Sequence, residues 1–157
     1  MYFNMRKLIV ILFIFFSTFA LSQTQSWITP GQSWAFVGPM IHFNFGGGEH
    51  HLSIGLEGSY WKDFFRNSNA PFLGVDAGFE WEFGGKWRFY SEAQTGGILG
   101  LSAGPVLEVK DGVSDWGIQS SVWYCFIIGL DMRWKYTDRS YWSPGIFGKL
   151  PLPVQKK

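Results

Sequence analysis

Between Lys86 and Lys110 the chain reads KWRFYSEAQTGGILGLSAGPVLEVK, and the character of its side chains changes at every second position. Trp87, Phe89, Ser91, Ala93 and Thr95 alternate with Arg88, Tyr90, Glu92 and Gln94; beyond a Gly-rich turn, Leu99, Leu101, Ala103, Leu107 and Val109 alternate with Gly100, Ser102, Gly104 and Glu108. A period of two places one set on each face of a β-strand, so the stretch is a pair of amphipathic strands. The pattern recurs along the chain, predicting strands near 33–45, 50–61, 71–83, 86–96, 98–110, 114–124, 126–137 and 140–149. GGGEH, DFFRNSNAP, GGK, GGI, KDGVS, a weak break near Cys125, and TDRS separate them. Segments of about ten residues suit a tilted strand crossing a bilayer, and eight of them on tight turns predict an all-β fold, a small up-and-down antiparallel transmembrane β-barrel.

The chain opens MYFNMRKLIVILFIFFSTFALSQTQS, where Arg6 and Lys7 precede an apolar run from Leu8 to Phe16 and a small-residue end at Ala20-Leu21-Ser22. This is the order of a secretory signal peptide, and the run is too short for a spanning helix of roughly 20 residues. Cleavage is expected after Ser22, dividing the chain into a 1–22 signal peptide and a 23–157 barrel domain; Met5 is an equally good start, because MRKL alone supplies the basic segment. Losing Arg6 and Lys7 leaves eleven basic against twelve acidic residues, so no basic field exists for nucleic acid. Cys125 is the single cysteine, which excludes an intramolecular disulfide and a cysteine-based zinc site.

Composition decides what surrounds the barrel. Charged residues are 16% of the chain against roughly a quarter in ordinary globular proteins, while aromatic residues reach 20%, with nine Trp and twenty Gly. The polar faces carry many glycines (Gly55, Gly74, Gly78, Gly117), which weaken strands but suit a narrow interior of alternating small and large side chains. The polar face is therefore placed inside, and Leu52, Ile54, Leu56, Leu73, Val75, Ala77, Phe79, Leu99, Leu101, Ala103, Ile128, Leu130 and Met132 outside, with Leu101 and Leu130 taken as mid-strand. The inward set forms a lumenal polar network of Glu57, Asp76, Glu80, Arg88, Glu92, Gln94, Gln119, Asp131 and Arg133, joined by His42 and Lys135. Buried charges must be paired, and Glu92 with Arg133 is the expected pair. Aromatic residues at strand ends predict a girdle at each interface: Trp81, Trp87, Trp116, Trp134, Tyr136 and Trp142 at one rim, and Trp34, Tyr60, Trp61, Phe72, Trp123 and Tyr124 at the other.

The RFYSEAQTG and LSAGPVLEV strands, the GLDMRWKY strand and the closing PGIFGKLPLP resemble small, mostly uncharacterised outer-membrane β-barrel proteins of Gram-negative bacteria. The resemblance implies fold, an outer-membrane location with lipid as the contacting partner, and insertion by barrel-assembly machinery. The chain ends PLPVQKK without the terminal aromatic residue that many such barrels present to that machinery, leaving the Phe147 to Leu152 strand end as the candidate signal. No cofactor, metal or protein partner is implied. The leading functional reading is a non-enzymatic barrel with a structural or interaction role and a plugged lumen. A soluble lipocalin-like barrel, with the leucine face inward around an apolar ligand, is the alternative. A lipid hydrolase is the third: His51, Ser53 and Glu57 resemble the His-x-Ser and Glu residues of outer-membrane deacylases. Glu57 lies about 13 Å along the strand from Ser53, however, too far for a triad with His51 between its partners. His42, His50 and His51 have no recognised zinc spacing.

Overall fold

The computed structural model describes residues 33–46, 48–62, 72–96, 99–125 and 127–154; the predicted signal peptide and the DFFRNSNAP connection lie outside them. Alternating side chains and Gly- or Asp-rich breaks produce β1 (Ser33–Gly46), β2 (Glu49–Lys62), β3 (Phe72–Glu82), β4 (Lys86–Gly96), β5 (Leu99–Lys110), β6 (Val113–Tyr124), β7 (Ile128–Tyr136), β8 (Ser140–Gly148) and β9 (Leu150–Pro153). From β1 to β8 each strand pairs antiparallel with the next, and β1 pairs with β2 on one side and with β8 and, below it, β9 on the other. The sheet is thus a closed, up-and-down, eight-stranded barrel. The end bearing the β1–β2, β3–β4, β5–β6 and β7–β8 turns is called upper, and the end where β1 starts and β9 stops is called lower.

Local chemistry explains the turns. Asp111 and Gly112 both hold positive φ, 51° and 80°, the backbone that a two-residue hairpin matched to strand twist requires. At the weak break, Cys125 takes φ 72° and reverses the chain between β6 and β7. The eighth wall strand runs past its predicted end at 149. Leu150 and Leu152 pair with Val37 and Ala35 in the register set by Phe147 against Met40, and only Lys149 steps out, its N–H bonding Ile127 O at 2.6 Å.

The two faces separate by polarity. Outward lie Ile41, Leu52, Ile54, Leu56, Val75, Phe79, Leu99, Leu101, Leu130 and Ile146, all at least 41% exposed, while Glu80, Arg88, Gln119, Lys135 and Ser143 are wholly enclosed. One expectation about depth changes: Leu101 and Leu130 each stand two residues from the lower end of their strands, β5 and β7. Leu56 is the mid-strand outward leucine, opposite Pro39 on β1 and Phe79 on β3.

Candidate functional site

The lumen is where the fold concentrates its chemistry. Every inward position is forced by the period of two, so the structure gathers Glu57, Asp76, Glu80, Arg88, Glu92, Gln94, Gln119, Asp131 and Arg133, none more than 6% exposed, beside His42 and Lys135. Glu80 on β3 is the hub. It accepts from Lys135 Nζ at 2.7 Å, Ser53 Oγ at 3.1 Å and Arg133 Nη1 at 3.4 Å, with Arg88 Nη1 at 3.8 Å and His42 Nδ1 at 3.5 Å. Arg133 spreads its other nitrogens to Glu57 at 2.7 Å and Asp131 at 2.6 Å, and its guanidinium carbon stands 4.8 Å from the Tyr90 ring centre. His42 Nε2 meets Asp131 at 2.8 Å. An isolated ion in such an interior would cost several kcal/mol, so multiple partners per charge are what make it tolerable.

The network extends to both ends. Above, Arg88 pairs with Glu82 at 2.5 Å and with Glu108, while Lys86 reaches Glu108 at 3.3 Å and donates to the Tyr141 hydroxyl at 2.8 Å. Asn44 donates to Glu82 at 2.9 Å. Below, Lys149 closes on Glu57. Glu82, Lys86, Glu108, Asn44 and Lys149 were absent from the predicted network, although strand parity points each of them inward; proximity to turns hid Glu82 and Lys86, and the apparent end of the eighth strand hid Lys149.

The expected Glu92–Arg133 pair does not form. Arg133 is committed to Glu57, Glu80 and Asp131, whereas Glu92 is held by Ser102 Oγ at 2.8 Å, Gln119 Nε2 at 3.0 Å and Ser121 Oγ at 3.2 Å. Neutral donors satisfy this carboxylate in place of a cation. Asp76, opposite Glu92 in the β3–β4 register, accepts the Glu92 backbone N–H at 3.2 Å. A cavity of about 10 Å³ beside them, bordered also by Gln94 and Trp123, has room for one water molecule.

Aromatic residues close the lower end from within. Trp61 and Trp123 meet edge to face at 5.6 Å and pack with Phe36, Met40, Tyr90, Val106 and Phe147. The fit is tight, because a Cβ on Gly100 would fall on the Trp123 ring. Trp34, predicted for the girdle, packs half-buried against this cluster, and Trp61 and Trp123 are likewise buried. Their parity with His42, Glu57 and Gln119 turns them inward, so among the described side chains of the predicted lower girdle Tyr60 and Tyr124 remain outward, and that of Phe72 lies outside those described. The upper rim does carry an outward array: Trp81 and Trp87 (6.5 Å), Trp134 and Trp142 (5.7 Å), Trp116 and Tyr136, supplemented by Phe43, Phe45, Phe83 and Phe89.

No hydrolytic triad assembles at Ser53. Ser53 is fully buried and its hydroxyl donates to Glu80 at 3.1 Å, while the predicted partner Glu57 is held by Tyr90, Arg133 and Lys149 and His51 is half-buried near the upper turn. Among the described residues no three His, Cys, Asp or Glu side chains group so as to hold a metal ion.

Fold and lumen together define a class: a small β-barrel with an apolar exterior and a charged interior filled by side chains apart from water-sized gaps. No family model matches the chain, and no curated protein matches it. Among solved structures it is similar to one described as "De novo design of transmembrane beta-barrels", at 12% identity over 78% of this chain and 98% of that one, with a TM-score of 0.48. It is also similar to Ail, the attachment invasion locus protein of Yersinia pestis, at 11% identity over 78% of this chain and all of that one, with a TM-score of 0.22.

Proposed function

We propose that the protein is a bacterial outer-membrane β-barrel, delivered by its cleaved signal peptide and inserted by barrel-assembly machinery, that acts without catalysis as a structural or interaction component. The observation that carries this reading is the inverted partition of side chains. Outward leucines, isoleucines and phenylalanines form a continuous apolar wall, and a soluble protein exposing so large a patch would associate or aggregate. In lipid the same wall is the favourable surface, and closure satisfies the backbone groups that an open sheet edge would strand in hydrocarbon. Strands of 9 to 14 residues are long enough for the crossing. The lumen, filled by paired charges and closed below by Trp61 and Trp123, supports a plugged barrel over an open pore. A lipocalin-like binder needs the leucine face inward, the opposite of the arrangement observed. Lipid hydrolysis finds no support in a serine enclosed at the centre of an ion-pair network.

Fractionation of producing cells tests the location. The mature chain is expected in the outer-membrane fraction and to remain in the pellet through alkaline carbonate washing. Recovery in the soluble exported fraction would overturn the membrane reading.

A further inference from the structure

The wall is not uniform: its closing seam, β1 against β8 and β9, is interrupted twice, where β4 against β5 is interrupted once, at Ser91 and Glu92 facing Pro105 and Gly104. Against β2, β1 pairs without interruption from Ser33↔Lys62 to Gly46↔Glu49. Against β8 and β9 the pairing lapses at Gly38 and Pro39, which face Lys149 and Gly148, and again at Phe43 and Asn44, which face Pro144 and Ser143. Backbone direction explains both gaps. Lys149 N–H bonds Ile127 O, so Lys149 turns away from β1 and the even-numbered residues of β8 and β9 turn toward it, since alternate residues of an antiparallel strand bond to opposite neighbours. Gly148 O then faces Pro39, and Phe43 O faces Pro144. Proline has no N–H to give, so both carbonyls lose their ladder donor. The end of the seam is thinner still. β7 begins at Ile128, opposite Gly148, and among the described residues Leu150–Pro153 pairs with β1 alone. Its outer edge presents Pro151, the residue type that blocks further strand addition.

One side chain bridges the lower gap. Lys149 points inward, its ammonium 4.9 Å from the Phe147 ring centre, and reaches past β1 to the carboxylate of Glu57 on β2.

We propose that the β1–β8/β9 seam is a lateral latch. The strap Lys149–Pro153 swings from β1 about Gly148, the Lys149–Glu57 ion pair is its bolt, and opening exposes the apolar cluster behind Phe36 and Phe147 to whatever surrounds the wall. That the surroundings are acyl chains rests on the membrane reading; the latch itself does not.

Amide hydrogen exchange on the full-length mature protein tests it within a single strand. The odd-numbered amides of β1 bond across the seam and the even-numbered ones bond to β2, so both share every global unfolding event and differ only in local opening. Ala35 and Val37, whose partners Leu152 and Leu150 lie in the strap, are expected to exchange at least about tenfold faster than Phe36 and Gly38, while Ile41 and Phe45, paired with β8 above the pivot, should not share the effect. Lys149→Gln should widen that ratio by about a further tenfold while leaving the even set unchanged. Equal rates for the two sets in the wild type would overturn the latch, as would a Lys149→Gln effect shared equally by both. Because the comparison is internal to β1 and reads the same in micelles or vesicles, its failure is distinguishable from failure of the membrane assignment.

Discussion

Arg133→Ala is expected to destabilise the barrel by about 3–5 kcal/mol, the cost of breaking a buried ion pair by deleting one partner. The guanidinium is 3% exposed and bonds three carboxylates, Glu57, Glu80 and Asp131, on three different strands. Each carboxylate keeps another cation or donor after truncation: Lys149 for Glu57, Lys135 for Glu80, His42 for Asp131. The loss should therefore come from incomplete compensation of all three and not from one abandoned charge. Equilibrium unfolding in detergent measures it, and double-mutant cycles apportion it. Arg133→Ala with Glu57→Ala should depart from additivity by about 0.5–3 kcal/mol, and by more than Arg133→Ala with Glu92→Ala, which form no ion pair but border one small cavity. Near-neutral behaviour of Arg133→Ala would mean that the lumen is wet and its charges individually solvated.

The second large effect belongs to the opposite face. Leu56→Arg places a guanidinium at mid-strand on the outer wall, between Pro39 and Phe79. At the midplane of a bilayer this should cost about 2–4 kcal/mol, with a smaller loss for Leu101→Arg nearer the lower end of β5, because the penalty falls toward the interface. In water the same substitution at a side chain already 43% exposed would be neutral within about 0.5 kcal/mol. Unfolding from lipid vesicles separates the cases. A full loss at Leu56 and a lesser one at Leu101 is expected; two neutral variants would contradict the membrane-facing wall.

Much of this architecture was legible because strand parity is a one-bit code. Once Arg88, Glu92 and Gln94 are set inward on β4, Trp87 and Phe89 must point outward, and the strand boundaries read from Gly and Asp breaks fall within a few residues of those observed. Parity also assigned Trp34, Trp61 and Trp123 to the lumen, and the expected lower girdle failed where residue type was allowed to override it. Aromatic residues at strand ends serve an interface only when they alternate with the polar set. Pairing inside the lumen was beyond the sequence. Which base meets Glu92 depends on shear and strand tilt, which bring β7 residues level with β2 and β3 and place Gln119 and two serines around Glu92. The Pro39 and Pro144 gaps were equally hidden, since a proline interrupts a seam only if its absent N–H faces that seam, and that follows from the backbone phase alone.

The most direct test of the central claim, an apolar wall facing lipid around a closed charged lumen, is the accessibility of a nitroxide at residue 56. With Leu56→Cys labelled in a Cys125→Ser background and the protein reconstituted in vesicles, collisions with oxygen, which concentrates in the hydrocarbon, should greatly exceed those with a water-soluble nickel chelate. Greater access by the chelate than by oxygen would put Leu56 in water and contradict the account.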